Sequence, residues 1–517
     1  MPSSPRSTPY LSTLTLGLLG ACSAPEPGGA NDVASTASSL EALPVLSPNV
    51  LTPPLHGYDD APRAPDSDDP AIWVGKRPGQ ALLIGALKDA GMQVYDLAGN
   101  VVQTIVPPNH PALVAEDPPA PGPEPDPGTS ACPESESGET FGRYNNVDVH
   151  YGFKLRRANG RTDEVDIAVV TDRGCDRLRV YAIDPGAAGG PLVDVTSPDV
   201  PRAFPQRFEQ PSPLQSPGES PQLVENSLDE QSTAYGITLY ARGHDGLHAF
   251  VTQRRRSVVA EFVLKSTASG VSYDKLREFR FNPAFRLRAA DRERIGWSPC
   301  REDVNEDPQF EGLVVDRTRG ILYAAQEATG IWRIPLSSRL PALVEVPEAL
   351  LFERTRSFGQ AYWAVPEDDE FSCESEAPDP LPPGTVVSPG VPDAVGPRLE
   401  ADAEGLAIYY GAGDSGYLIA SSQGDDTFHL YDLRNVRRHL GSFQLEGTGE
   451  TDGHDVVNVR VGSAFPFGLF VAQNGKAPPP ASEDPINGFE YDNSTQFELI
   501  GWEKIADAFG LQVHTGR

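Results

Sequence analysis

The chain has 517 residues, 73 of them Asp or Glu against 42 Lys or Arg, for a formal charge of −31. So acidic a balance excludes a nucleic-acid binder and argues against adhesion to anionic lipid; it fits either solubility outside the cell or carboxylates gathered to hold cations. The 51 Pro and 49 Gly are consistent with many turns.

Residues 1–21 carry one Arg and the apolar run LSTLTLGLLG, ending in Leu19-Gly20-Ala21-Cys22. The run falls short of the roughly 20 apolar residues a membrane span needs, so it reads as a signal peptide for export. Small residues directly before a cysteine resemble a bacterial lipobox, which implies cleavage before Cys22, lipid on its sulfur and, with Ser23 following, an outer-membrane address. An ordinary secretory signal with an incidental cysteine is the competing reading. Residues 22–50, rich in Ala, Ser, Pro and Gly, form a flexible tether. A strand near Ser47 to Leu51 is expected at its end, completing the last repeat of one large domain over residues 51–517.

Within that domain one unit recurs: an acidic residue, a strand, a turn and a second strand. Asp69 opens DPAIWVGKRPGQALLIGALKD, Asp148 opens DVHYGFKLRRANGRTDEVDIAVVTDRG, and Tyr235 replaces the acid in YGITLYARGHDGLHAFVTQ. Glu311 opens EGLVVDRTRGILYAAQE, Asp402 opens DAEGLAIYYGAGDSGYLIASSQGDD, and Asp452 opens DGHDVVNVRVGSAFPFGLFVAQNG. A third strand follows each, such as GMQVYDLAG or GIWRIPL, and a fourth follows most, such as VVQTIV or GSFQLEG. Six units of four short antiparallel strands predict an all-β, six-bladed propeller, stable only because each unit buries its faces against its neighbours. Uneven spacing hangs long insertions at 107–142, 199–231 and 366–398 on this core, and EKIADAF after Trp502 reads as a helix.

Apart from Cys22, four cysteines remain, an even number in an exported chain, so disulfides are expected with three connectivities possible. Pairing of sequence neighbours, Cys132 with Cys175 and Cys300 with Cys373, would pin two insertions.

Equivalent positions in a propeller meet at one end of a shared channel, so Asp68, Asp69, Asp148, Glu311, Asp402, Glu404 and Asp452 are candidates to converge. Crowded carboxylates stay ionised only beside a cation, and oxygen donors suit calcium. Taken singly, each acid is better explained by capping loops and bonding backbone N–H groups; the repetition of the whole set favours convergence. Lys88, Arg173 and Arg254 to Arg256 end second strands, at the level of Gln326 and Gln423, and should face the same end, where they suit a phosphate group; solvated surface charge is the competing reading, above all for Arg255 and Arg256.

DSDDPAIW at 66–73 and NNVDVHY at 145–151 resemble the two motifs by which β-propeller phytases are recognised. The resemblance continues through AYGITLY, FEGLVVD, EGLAIYY, YLIASSQGD and FPFGLFVAQNG, covering residues 66 to about 509. It implies a propeller that binds several calcium ions and removes phosphate from myo-inositol hexakisphosphate. Structural calcium is then expected near Asp68, Asp69, Gln473 and Asn474, and activating calcium near Tyr235, Glu311, Glu327, Asp402, Glu404 and Asp452. Lys88, Arg173 and Arg254 match basic phosphate contacts, and Tyr235, Glu311 and Glu404 join them as catalytic positions. Inositol phosphates would bind as calcium complexes to a monomer anchored at Cys22, and calcium would activate the attacking water. Consistently, neither RHGxRxP nor HCxxxxxR, the stretches that supply a histidine or cysteine nucleophile, occurs. The chain departs from the family at Asp89, where a second basic residue is common, and at His150, where Arg is common. The rival functions are a calcium-stabilised propeller that binds without hydrolysis, and a propeller hydrolase of another class such as a lactonase.

Overall fold

Short runs of Val, Ile, Leu and Tyr between glycine-containing turns fold into antiparallel sheets, one for each predicted unit. The computed structural model describes residues 43–516 apart from 60, 62, 78, 109–131, 133–140, 206–207, 211–221, 225–227, 229–230, 244–245, 290–292, 302–305 and 368–369. The signal peptide, Cys22 and most of the tether lie outside the described residues, as does part of each long insertion.

Six sheets carry four or five strands each. Their first strands are Pro70–Val74, Tyr144–Arg156, Ala234–Ala241, Phe310–Asp316, Ala403–Tyr410 and His454–Val457. Each of these packs beside the next, and the last returns to the first, so the inner strands form a closed cycle of neighbours. The apolar faces are buried between consecutive sheets. Ile84 and Val94 of the first sheet meet Ala168 and Val170 of the second, and Val169 and Leu178 meet Val251 and Phe262 of the third. The pattern continues round to Leu469 and Val471 of the sixth sheet, which meet Ile72 and Leu83 of the first. This is a propeller arrangement of antiparallel sheets, and it explains why no unit could stand alone.

The N-terminal segment closes the sixth sheet as expected: Val50 and Leu51 pair antiparallel with Leu499 and Glu498. Pairing begins earlier than the sequence suggested, however, because Val45–Leu46 also runs parallel to Gln444 and Leu445 of the fifth sheet. Two-residue strands gain their stability from the edges they cover, so the Pro- and Ser-rich composition around them conceals them. Trp502–Phe509 is the expected helix, with Trp502 stacked 3.8 Å from Tyr409. Both disulfides join sequence neighbours, Cys132 to Cys175 and Cys300 to Cys373.

One predicted unit was misplaced. The first strand of the second sheet starts at Tyr144 rather than at Asp148, so Asp148 lies within the strand and its opening position belongs to Asn145. The rule that an acid opens each unit hid an Asn-Asn pair.

Candidate active site

Four inner strands slip register at the same end, between Tyr144 and Val147, Ala234 and Ile237, Phe310 and Leu313, and Ala403 and Leu406. A bulge of this kind re-aims a side chain, and the residues within the slips are Asn145, Tyr235, Glu311 and Glu404, with Asp452 just ahead of the sixth inner strand. A glycine follows all but the first. A Cβ on Gly236 would lie 1.9 Å from the Glu311 carbonyl oxygen, one on Gly312 2.2 Å from that of Glu404, and one on Gly405 2.8 Å from that of Asp452. The recurrent X-Gly pair therefore lets each sheet's backbone touch the next where the functional side chains emerge.

Carboxylates crowd one half of the resulting mouth. Glu311, Glu327 and Glu404 each bring an oxygen within 4.8 Å of the others, and Asp68 hydrogen-bonds Glu311. Asp402 exerts its charge on Glu327, Glu404 and Asp452. Asp452 accepts from Gln423 Nε2 at 2.6 Å. Burial, and then mutual repulsion, raises Glu311, Glu404 and Asp452 well above the carboxylate range, and raises Glu327 to about 8. Among the described residues, Asp68 Oδ1, Glu327 Oε1 and Glu404 Oε2 are buried without a hydrogen-bond partner. Orphaned buried oxygens cost free energy unless something offsets them. An all-oxygen donor set fits a hard cation.

Cations occupy the other half. Lys88 Nζ lies 2.6 Å from Asp66, 3.5 Å from Asp68 and 3.8 Å from Asp452. Burial alone would lower its pKa, but these three carboxylates outweigh burial and hold it above the usual value. Arg173 donates from Nη1 to Asn145 Oδ1 at 2.9 Å and from Nη2 to Gln231 Oε1 at 3.4 Å, and its guanidinium lies 5.6 Å over the Tyr235 ring. Arg254 Nη1 donates to the same Gln231 oxygen at 3.3 Å. Burial, then the charges of Arg143 and Arg254, push Arg173 down to about 10. Asn145 joins the halves, since its Nδ2 donates to Glu311 Oε1 at 3.0 Å.

Asn145, Gln231 and Arg143 were not singled out from sequence. Asn145 stood in the quoted NNVDVHY and could have been found by aligning the bulges instead of the acids. Gln231 and Arg143 lie at the ends of insertions, where the repeat gives no register.

Other candidates go elsewhere. Asp69, just ahead of the first inner strand, and Asp148 and Asp455, within theirs, accept the backbone N–H of Val147 (3.0 Å), Leu239 (2.6 Å) and Ile72 (2.8 Å) in the adjoining sheets. They stitch neighbouring sheets together, and burial lifts Asp148 to about 6 and Asp455 to about 7. Asp148 thus does not join the mouth. Gln473 Oε1 accepts from Asp452 N, and its Nε2 donates to Ser67 O. Asn474 bonds Glu498 and Gly449 in the sheet that closes the ring. Gln326 is consumed by Ser257, Pro308 and Trp332. Arg255 pairs with Glu306 at 2.7 Å, and buried Arg256 donates to the Arg255 carbonyl.

Fold and mouth together define an all-β ring protein whose central site opposes buried and half-buried carboxylates to buried Arg173 and half-buried Lys88 and Arg254. Residues 356–515 match the Phytase family model. Over 469 residues the chain is 27% identical to the 3-phytase of Bacillus subtilis strain 168, covering 89% of this chain and 84% of that one. The chain is similar to phytases, and that likeness supports a phosphomonoester hydrolase. Among solved structures, an α-L-arabinofuranosidase from Fusarium graminearum superposes with a TM-score of 0.37 at 9% identity, over 88% of this chain and 99% of that one. The β-propeller domain of Cps50 (Swd1) from Myceliophteria thermophila gives 0.29 at 10% identity, over 86% and 99%. Likeness that slight says nothing about activity.

Proposed function

We propose that this chain hydrolyses phosphomonoesters of myo-inositol hexakisphosphate at the mouth of a six-bladed propeller, using several calcium ions. The carrying observation is the set of buried, unpartnered carboxylate oxygens of Asp68, Glu327 and Glu404 facing Lys88, Arg173 and Arg254. Glu311, Asp402, Asp452 and the Tyr235 hydroxyl complete the donor set, with further calcium near Asp69, Gln473 and Asn474 where the ring closes. When bound, calcium neutralises phosphate oxygens and lowers the pKa of a water for attack on phosphorus.

The chain's own residues do the rest. Arg173 and Arg254, tied to one Gln231 oxygen, present a fixed pair of guanidiniums to phosphate oxygens as charge develops on them. Asn145 keeps Arg173 and Glu311 at a constant spacing, so the anion-binding and cation-binding halves stay aligned. Lys88, gripped by three acids, keeps its proton and acts as a fixed charge. The mature chain is proposed to be a monomer, exported and lipid-anchored through Cys22 at the outer membrane.

The test is phosphate release from inositol hexakisphosphate with calcium, with EGTA, and with calcium restored. Release that stops with the chelator and returns with calcium supports the proposal. A protein that gains thermal stability from calcium but releases no phosphate would be a binding propeller instead.

A further inference from the structure

The end of the ring opposite the mouth carries the reverse of the chain's overall charge. The inner strands start at the mouth, so the turns that join first to second strands, and third to fourth, lie at the other end. Those turns hold Lys76, Arg77, Arg317, Arg437 and Arg460, and Arg156 ends the inner strand of the second sheet. All are exposed, and among the described residues none lies in an ion pair. The acids nearby are answered by other bases: Asp163 by Arg157 at 3.0 Å and Arg161 at 2.7 Å, Asp316 by Arg319 at 2.7 Å, and Asp432 by Arg434 and Arg438. Asp96 and Asp184 accept N–H groups of their own turns, and Asp414 lies 3.7 Å from Arg319. The closing helix adds Glu503, Lys504 and Asp507, too few to reverse the balance.

Lys76, Arg77 and Arg460 line one cleft of about 640 Å3 between turns of the first and sixth sheets, with no acid in its wall. On the same sixth-sheet turn as Arg460, Phe467 is 45% exposed. The chain also enters the ring from this end, because Val45–Leu46 runs parallel to His439–Leu445, a strand that leaves the Arg437 turn for the mouth.

Net charge does not decide contact with a charged surface, since salt screens exposed charges beyond about 8–10 Å. An inner strand such as Ala234–Ala241 spans roughly 25 Å. The mouth's carboxylates therefore lie more than twice the screening distance from a surface that touches the other end. Headgroup phosphates attract Lys and Arg, and an aromatic ring beside them enters the lipid interface. A soluble polyanion would leave Phe467 in water.

We infer that this end docks on an anionic lipid surface through Lys76, Arg77, Arg460 and Phe467, which turns the mouth away from the bilayer and leaves it open to solvent. The inference adds an orientation to the anchoring proposed at Cys22. It also overrides the reading of the summed charge, because the bases are gathered where the acids are not.

The experiment sediments the unlipidated chain from Ser23 onward with vesicles of phosphatidylcholine mixed with phosphatidylglycerol, and with phosphatidylcholine alone, at low and high salt. The parent should bind the mixed vesicles at least about tenfold better than the neutral ones at low salt, and high salt should release it. Each Lys or Arg at such a surface contributes about fivefold, so Lys76→Glu with Arg77→Glu and Arg460→Glu should weaken binding about a hundredfold or more. Phe467→Ser should weaken it severalfold without changing the salt dependence. Arg286→Glu with Arg288→Glu and Arg294→Glu alters net charge equally on the exposed hairpin between the third and fourth sheets, on the mouth side, and should change binding less than about twofold. Equal losses in the two triple variants overturn the inference, since net charge alone would then govern binding. So does vesicle-bound protein whose phosphate release is blocked while the free protein is active, because the mouth would then face the bilayer. Binding to heparin that the first triple variant abolishes, with no binding to vesicles, assigns this end to a soluble polyanion and overturns the lipid reading. Vesicle binding requires neither lipid on Cys22 nor hydrolysis, so failure of the anchor or of the phosphatase reading is a separate result.

Discussion

Gly312 shows how narrowly single residues are set here. Its missing Cβ leaves room for the Glu404 carbonyl oxygen, which a methyl group would approach to 2.2 Å. Gly312→Ala should therefore push two inner strands apart and misalign Glu311 with Glu404. Overpacking of this kind costs about 1–3 kcal/mol, and hydrolysis should fall more than about tenfold, since misplacements near 1 Å already cost more than that. Parallel Tm and rate measurements decide; unchanged values for both would remove the close approach as a constraint. Glu327 supplies a second residue-scale prediction. Without a cation, burial and then the charge of Asp402 raise its folded pKa to about 8 from the ordinary 4.5. The folded state then holds a proton the unfolded state has released, so stability falls as pH rises from about 5 to 8. With EGTA, Tm should decline over that window, and calcium should abolish the decline. A flat Tm profile in EGTA would show that the acids are offset by something else.

At the scale of an element, the fifth sheet carries a paired-histidine device on its outer strands. His429 Nδ1 lies 3.1 Å from His439 Nε2, and Thr427 Oγ1 lies 2.9 Å from His429 Nε2. Burial, then the His439 ring and nearby arginines, lower His429 to about 3; burial, then Arg398, lowers His439 to about 4. Because these folded values lie below the ordinary 6.5, the unfolded chain binds more protons below that pH. The stabilisation is present in full above about pH 6.5 and is lost as pH falls toward 4 and 3. His429→Asn with His439→Gln should flatten the difference in Tm between pH 7 and pH 4.5 relative to the parent. Identical acid limbs in parent and variant would mean other groups set the acid limit. The strand pattern of this sheet was legible in TFHLYDLRN, but the meeting of the two imidazoles was not, because it depends on how the two strands pair.

For the molecule as a whole, closure involves short N-terminal strands far in sequence from the sheets they join. Val50 and Leu51 cover the edge of Tyr491–Gly501, Asn49 Oδ1 accepts from Gly501 N at 3.0 Å, and Lys504 donates to the Ser47 carbonyl. Removing the chain through Leu51 should cost roughly 2–4 kcal/mol, from a few hydrogen bonds of about 1 kcal/mol each. It should also promote association through the bared edge. Thermal unfolding and light scattering would show both effects. A truncated protein as stable and monomeric as the parent would mean that the ring is held by the inner strands alone.

The sequence determined what depends on local pattern. Alternating strands, the turn glycines, the repeated opening residues and the two short motifs sufficed to read an all-β ring with acids and basic residues expected at one end. Tyr235, Glu311, Glu404, Lys88, Arg173 and Arg254 were legible because each sits at a repeated position in its unit. Tertiary structure decided the rest. Asn145 replaced Asp148 because the second inner strand begins earlier than its acid, and Gln231 meets Arg173 and Arg254, and Arg143 meets Asp89, through side-chain contacts between segments separated in sequence. Such meetings are set by the register of bulges and the paths of insertions. Those are fixed by packing between sheets, which no local stretch of sequence encodes.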